Sequence, residues 1–135
     1  MLISVTLSIV GDLLDPDDVT RALGIVPHYS RRKGDVRRSQ SGKSALATAG
    51  IWEWHSRDPA HSLSVNDHLA RLQKALGDRA LEVKDLPNVD NAWVDVHIVV
   101  GDDDATASAS FVLSTDALAI LQKMGVPAEF TIEEP

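Results

Sequence analysis

The stretch LISVTLSIV, residues 2–10, decides the fold class because apolar side chains alternate with hydroxyl side chains along it. A strand with this pattern has one apolar face and one polar face, here formed by Ser4, Thr6 and Ser8. Residues 51–56, IWEWHS, and residues 92–100, AWVDVHIVV, alternate in the same way. Strands of a parallel sheet covered on both sides are continuously apolar, so these patterns predict a largely antiparallel sheet with one polar face.

Three helices are predicted between and after these strands. The first begins at Asp15-Pro16 and ends at Gly24, the second runs from a Ser64 cap to Leu76, and the third runs over residues 115–124. Further strands are predicted at residues 80–84, 106–113 and 128–132, with a hairpin turn at 101–104. The sequence therefore predicts a two-layer α+β fold with about three helices on one face of a largely antiparallel sheet. We expect a single domain over residues 1–135.

The composition excludes several classes of site. The chain has 135 residues and no cysteine, which removes disulfides, thiolate zinc sites, iron–sulfur clusters and cysteine nucleophiles. Gly42-Lys43-Ser44 lacks the upstream glycine of a phosphate-binding loop, and Asp102-Asp103-Asp104 lacks the glycine and distal glutamate of an EF-hand. We therefore expect no cofactor and no metal site. The N-terminal residues lack the basic start of an export signal, and no apolar stretch is long enough to span a bilayer, which favours a cytoplasmic protein without membrane contact.

The charge is unevenly distributed along the chain. The net charge is −7, yet residues 26–50 contain six basic residues against Asp35 alone. We interpret this segment as a mobile basic loop, because loops this long are typically functional or disordered. Its alternatives are pairing with the acidic body, binding an acidic protein partner, or binding a small phosphate or carboxylate ligand. Nucleic acid is disfavoured because the rest of the domain is acidic. The candidate binding residues in the loop are Arg31, Arg32, Lys33, Arg37 and Arg38.

The segment LGIVPHYSRRKGD, residues 23–35, resembles the signature of a bacterial domain-of-unknown-function family, number 4279. It combines a helix stop, a proline turn and a Lys-Gly pair, and the plan of the remaining chain fits as well. The resemblance implies a small bacterial α+β domain without an established activity. Because some relatives lie near toxin–immunity loci, it also favours a protein-binding, immunity-like role. The segment after Gly34 is richer in arginine than the family pattern.

Histidine supplies the only side chains suited to acid/base work at neutral pH. His55 with Glu53, and His97 with Asp95, lie on the polar faces of two strands. If those strands are neighbours, the four side chains converge within acid/base or metal-binding reach; otherwise they are ordinary residues of a solvent-facing surface. The three other histidines are expected in loops or at exposed helix positions. They are His28, His61 and His68.

The three tryptophans are predicted to divide between the core and the surface. Trp52 and Trp54 are expected in the core, and Trp93 on the polar face, together with Ser108 and Ser110 of the predicted strand 106–113. An exposed indole among small side chains is a plausible anchor of an interface. The favoured function is therefore a non-enzymatic interaction domain that binds an acidic protein or a second copy of itself. A small metal-dependent or acid/base enzyme and an anionic-ligand binder are the alternatives.

Overall fold

A computed structural model describes residues 2–38, 40–60, 63–101 and 111–134 of the chain. The strands are β1 (Leu2–Gly11), β2 (Tyr29–Arg31), β3 (Val36–Arg38), β4 (Ser44–Leu46), β5 (Gly50–Ser56), β6 (Asn91–Val99) and β7 (Ala128–Glu133). The helices are α1 (Pro16–Leu23), α2 (Val65–Leu76), a 3-10 helix (Gly77–Asp85) and α3 (Thr115–Met124).

Five strands form the main sheet in the order β2-β5-β1-β6-β7. The strand β1 pairs antiparallel with β5 on one side and with β6 on the other, and β2 pairs antiparallel with β5. Only the β6–β7 pairing in this sheet is parallel, with α3 connecting the two strands in the chain. The short strands β3 and β4 form a separate hairpin. The predicted α+β fold with a mostly antiparallel sheet is confirmed.

The core lies between one face of this sheet and the helices. Val5, Leu7 and Ile9 of β1 are fully buried there together with Trp52, and Ile3 is partly buried against them. Each helix adds an apolar stripe to the same cluster, for example Val19 of α1, Leu72 of α2 and Met124 of α3. Burying an aliphatic side chain of this size contributes about 1.5–3 kcal/mol relative to exposure. The alternation in β1 therefore determines which face of the sheet the helices cover.

Short-range signals in the sequence set the helix ends as predicted. Asp15 caps α1 through a bond from the Asp17 N–H, and Gly24 ends that helix with a φ of 71°, which favours glycine. Ser64 and Asp67 form a reciprocal capping box at the start of α2. Ser114 accepts a hydrogen bond from the Ala117 N–H at the start of α3. These caps satisfy backbone groups that have no partner within the helix.

The predicted structure of residues 25–50 and 80–84 was wrong in part. The first segment was predicted as a loop but contains β2, β3 and β4; its mobility stays a prediction. The second was predicted as a strand but belongs to the 3-10 helix. Ala80 and Val83 are both buried, and a spacing of three residues places them on one face of a 3-10 helix, whereas a strand would place them on opposite faces.

The predicted strand at 106–113 is described only in its last residues. Residues 111–113 have no regular structure, and Ser108, Ser110 and the predicted turn residues 102–104 lie outside the described residues. The alternation that places Ser108 and Ser110 on the polar face also predicts Phe111 and Leu113 on the apolar face. Phe111 is nevertheless 40% exposed, and its ring stacks on Phe130, whereas Leu113 packs against the core. None of the helices within the described residues has the length and apolar character needed to cross a bilayer.

Candidate functional site

The side of the main sheet opposite the core is a polar surface, which we call the open face. The register of the strands assigns to it the even-numbered residues of β1 and the residues opposite them. Its polar and aromatic members are Ser4, Thr6, Ser8, Tyr29, Arg31, Glu53, His55, Asn91, Trp93, Asp95, His97, Glu129, Thr131 and Glu133, and the apolar Leu2, Val10, Ile51 and Val99 lie toward its two ends. Arg57, which directly follows β5, lines the same cavity as Ser4 and His97 and extends this surface.

The strand order decides whether the four candidate acid/base residues meet. Because β1 lies between β5 and β6, the condition that the two histidine-bearing strands are neighbours is not fulfilled. Thr6 is opposite His55 on one side and opposite Asp95 on the other. Two strand spacings separate the pairs by roughly 10 Å. The structure therefore separates Glu53 and His55 from Asp95 and His97, which lie on either side of β1.

His55 is held in place from three directions. Its Nδ1 and the Thr6 hydroxyl are joined by a hydrogen bond of 2.8 Å, and its backbone N–H donates to His28 Nδ1 at 2.9 Å. Its Nε2 is 3.6 Å from Glu53 Oε2. Burial lowers the pKa of His55, and the charges of Arg57 and His28 lower it further. The ring is therefore neutral at pH 7.

Two carboxyl groups on this surface are poorly solvated. Burial raises the pKa of Glu53, and the neighbouring charge of Asp95 raises it further. Asp95 Oδ1 is buried and has no hydrogen-bond partner among the described residues. Polar atoms that folding removes from water without a partner cost free energy. The centre of the open face thus has an acceptor that none of the described residues satisfies.

His97 lies at one end of the open face. Its Nε2 is 3.2 Å from Glu133 Oε1 on β7, and the two side chains are about one-third and more than one-half exposed. A shallow cavity of 380 Å³ borders it, with Ser4, Arg57 and Val99 among the lining residues. His97 is therefore the more accessible of the two candidate histidines.

Trp93 lies on the open face, as predicted, and is partly exposed opposite Ser8. Ser8 was expected to face solvent and is on this side, but it is only 4% exposed because it lies between the larger side chains of Glu53 and Trp93. Trp52 is fully buried and Trp54 packs against the core, so both core predictions are confirmed. The indole N–H of Trp52 donates to Thr20 Oγ1 at 3.1 Å.

The basic segment divides into two groups. Arg32 Nη2 lies 2.7 Å from Asp15 and 2.5 Å from Asp17, and Lys33 Nζ lies 2.8 Å from Asp12. These two cations therefore neutralise acidic side chains beside the start of α1.

The other group surrounds Tyr29 on the open face. The guanidinium carbons of Arg31 and Arg37 lie 5.0 and 5.8 Å from the centre of the Tyr29 ring, an arrangement typical of cation–π contacts. Arg38 is exposed at the end of β3. The hairpin of β3 and β4 therefore adjoins the open face at Tyr29, and the two form one continuous surface.

Sequence reasoning missed two contributions to this surface. Tyr29 was treated as part of a loop, although the short strand β2 aligns it with Glu53. Glu129 and Glu133 on β7 were not singled out, although the alternating sequence AEFTIE places them on one face with Thr131. The alternation was the available signal for the β7 residues. Nothing local marks Tyr29, because a strand of three residues has too little sequence for a period.

The remaining histidines differ from one another. His68 was expected at an exposed helix position, but it is buried, and its Nδ1 and the Ser56 hydroxyl are joined by a hydrogen bond of 2.8 Å. Burial lowers the pKa of His68, and the charge of Arg71 acts in the same direction. His28 is in a loop as expected, and its ring packs against Trp54 and His55. His61 lies outside the described residues.

Within the part of the chain that the structure describes, there is no group of three His, Asp or Glu side chains arranged to hold a metal ion.

Comparisons with known proteins identify the family. Neither a curated protein nor a solved structure matches the chain. The model of one family, Domain of unknown function (DUF4279), matches residues 1–134. The chain therefore belongs to the DUF4279 family.

Proposed function

We propose that this chain is a non-enzymatic protein-interaction domain that binds its partner through the open face. The observation that carries the proposal is the contrast between the two sides of one sheet. The described helices pack on one side, and the other side combines an indole, a tyrosine and charged groups. The family resemblance in residues 23–35 adds a bacterial and immunity-like setting to the proposal, and the N-terminal sequence pattern adds a cytoplasmic one.

Side-chain size on the open face supports close docking. The middle of the central strand contributes the small side chains of Ser4, Thr6 and Ser8, so a partner can approach the backbone of β1 closely there. Trp93 is directly beside this row of small residues. Aromatic side chains next to such a depression are typical anchors of protein interfaces. Trp93 is therefore the residue expected to contribute most to binding.

The contacts of the basic segment favour binding at the open face rather than at a separate site. Arg32 and Lys33 are already paired with aspartates of their own chain, which weakens their attraction for an acidic protein or a small anion. Arg31 and Arg37 are beside the open face at Tyr29. We assign these two arginines, with the exposed Arg38, to the rim of the interaction surface, where charges direct partner choice.

A second candidate function is acid/base catalysis at His55. The observation that favours it is the hydrogen bond between a neutral imidazole and the Thr6 hydroxyl, the pairing of a general base with a nucleophile. A catalytic arrangement of this kind needs a third group that orients the imidazole. Glu53 interacts only weakly with His55, because it is 3.6 Å away and its raised pKa disfavours the charged form. Hydrolysis of an activated ester that disappears in both Thr6→Val and His55→Gln, but not in His97→Gln, would favour this candidate over the interaction domain.

Sedimentation of the purified chain tests the interaction function, because self-association is the form that needs no second protein. We expect a dimer at high micromolar concentration and a monomer for Trp93→Ser. The matched control is Leu81→Ser, which removes an exposed apolar side chain from the 3-10 helix on the other layer. Equal thermal unfolding of the three proteins ensures that folding is intact. A wild-type monomer, or a dimer unaffected by Trp93→Ser, contradicts the proposal.

A further inference from the structure

The open face has opposite charges on its two sides. On the β2 and β5 side are three cations, Arg31, Arg37 and Arg57, against the two acids Glu53 and Asp58, the latter lining the same cavity as Arg57; we call this the basic side. On the β6 and β7 side are three acids, Asp95, Glu129 and Glu133; we call this the acidic side. The strand β1 is the boundary between them.

These charges are only partly neutralised within the chain. Arg31 and Arg37 contact the ring of Tyr29, and neither forms a salt bridge with another described residue. The exposed Glu129 is likewise without a cationic partner in the described residues. Arg32 and Lys33 pair with aspartates next to α1 and not on the open face, whereas Glu133 on the acidic side lies 3.2 Å from His97. Both sides of the face therefore have charge left to bind a partner with the inverse arrangement.

A second copy of the chain has that inverse arrangement if its open face is turned over about a twofold axis parallel to β1. Such a rotation keeps each residue at its position along the strands and exchanges the two sides of the sheet. The basic side of each copy then covers the acidic side of the other. An axis across the strands would instead place arginines over arginines and glutamates over glutamates, which is unfavourable.

The register gives the contacts at the centre of this arrangement. His55 and Asp95 are both opposite Thr6, so an axis along β1 brings Asp95 of each copy over His55 of the other. The same rotation brings Trp93 over Glu53, since both are opposite Ser8. The unsatisfied Asp95 Oδ1 thereby faces an imidazole. The indole then packs over the partly buried Glu53 carboxyl.

The size of the face is sufficient. Five strands about 4.8 Å apart, each with about seven residues at roughly 3.3 Å, cover on the order of 550 Å² per copy. Two copies then bury roughly 1,100 Å², which is just above the lower limit of roughly 1,000 Å² for a specific interface. Ser4, Thr6 and Ser8 along the axis allow the two sheets to approach to the spacing of about 10 Å seen in sheet packing.

From these observations we infer that the partner of the open face is a second copy of this chain, bound about a twofold axis parallel to β1 with the basic side of each copy over the acidic side of the other. This inference rests on the proposed function, because it names the partner of the same surface. It also commits the dimer to an axis along the strands rather than across them. Symmetric dimers are the simplest assemblies, since one self-complementary surface is enough.

Charge exchange tests the pairing of the two sides. We expect Arg37→Glu and Glu129→Arg each to weaken dimerisation about tenfold, which corresponds to ~1.4 kcal/mol over two symmetric contacts. An equimolar mixture of the two variants should form a heterodimer of nearly wild-type affinity, because both contacts then join opposite charges. Sedimentation at physiological salt measures all three affinities. The control is Lys74→Glu, a charge reversal on α2 away from the open face.

A cysteine cross-link tests the axis. The chain has no cysteine, so Ser4→Cys introduces a unique thiol on the open face. With the axis along β1, Ser4 meets Ser4 of the second copy, and a short bis-maleimide should link Ser4→Cys to itself. With an axis across the strands through Thr6, Ser4 meets Ser8 instead. Leu81→Cys on the helix side should remain unlinked.

The outcomes separate this inference from the proposed function. Weakened single variants, a restored mixture and a Ser4→Cys cross-link support the inference. A dimer that Trp93→Ser disrupts, but that charge reversals leave unchanged or that Ser4→Cys fails to link, overturns the inference and leaves the proposed function standing. A wild-type chain that stays monomeric overturns both.

Discussion

The two faces of the main sheet come from the same strands but differ in almost every physical respect. On the covered face, Val5 and Leu7 of β1 are fully buried and neighbour Trp52 in one apolar cluster. On the open face, the intervening side chain of Thr6 has His55 on one side and Asp95 on the other. The shifted pKa values of Glu53 and His55 and the unsatisfied oxygen of Asp95 all occur on this face.

The difference teaches where to look for function. Apolar burial on the covered face accounts for the stability of the fold. Partly buried charges on the open face lower stability and do nothing for the core. Such groups are typical of binding surfaces, where a partner completes their interactions. Each of the following predictions tests either one face of the sheet or the difference between the two faces.

The largest expected effect is the loss of the central aromatic side chain on the covered face. Trp52→Ala should lower the free energy of unfolding by about 3–5 kcal/mol, because it leaves a large cavity and removes the indole's hydrogen bond to Thr20. Trp93→Ala is the matched change on the open face and should lower it by less than about 1 kcal/mol. Urea unfolding at a concentration where the chain is monomeric measures both. Similar losses for the two variants would contradict the assignment of the faces.

A smaller effect is expected at the start of α2, which packs on the covered face. Ser64→Ala removes the side-chain half of the capping box and should lower the free energy of unfolding by about 1 kcal/mol. Ser64→Asp, which retains a capping oxygen, should recover most of that loss. Urea unfolding distinguishes the three proteins. A loss that Ser64→Asp fails to recover would show that the hydroxyl acts through something other than the cap.

Acid should destabilise the covered face through His68. Because burial holds its pKa in the folded chain below the ordinary value of 6.5, the unfolded chain binds the proton more readily. Stability is therefore fully present above pH 6.5 and falls as the pH decreases toward the folded-state pKa. His68→Gln should flatten this dependence between pH 7 and pH 5. His55 contributes a parallel loss because its pKa is also lowered, so His55→Gln should flatten the same range.

The smallest expected effect concerns Glu53 on the open face, where stability depends on pH in the opposite direction from that at His68. The raised pKa of Glu53 means that the folded chain disfavours its carboxylate relative to the unfolded chain. This penalty is absent below pH 4.5 and increases as the pH rises through the folded-state pKa. Glu53→Gln should therefore stabilise the monomer slightly at pH 7 and have no effect in acid. Glu129→Gln on the exposed edge is the control and should change stability at neither pH.

The covered face could be predicted in detail from sequence. The alternation in residues 2–10, 51–56 and 92–100 identified the buried side chains of the three central strands, and capping residues located the ends of the helices. These features depend on neighbours within a few residues, so the information is local. The prediction failed for residues 80–84 and for His68, where burial depends on the packing of α2 and the 3-10 helix against other elements.

The open face could be predicted only as a set of residues. Glu53, His55, Asp95, His97 and Trp93 were assigned to it from alternation, but whether they meet depends on which strands are neighbours. The placement of Tyr29 beside Glu53, and the division of the basic residues into a group paired with aspartates and a group on the open face, come from contacts between distant parts of the chain. Local patterns do not contain this information.

The sequence by itself determined the fold class, the direction in which each central strand faces and the absence of cysteine chemistry, because periodicity and composition are properties of the chain alone. The tertiary structure decided that β1 separates the two histidine-bearing strands and that arginines and glutamates occupy opposite sides of one surface. The physical reason is that strand order is selected by the packing of the whole core. Charges far apart in sequence acquire their spatial arrangement only after that packing is complete.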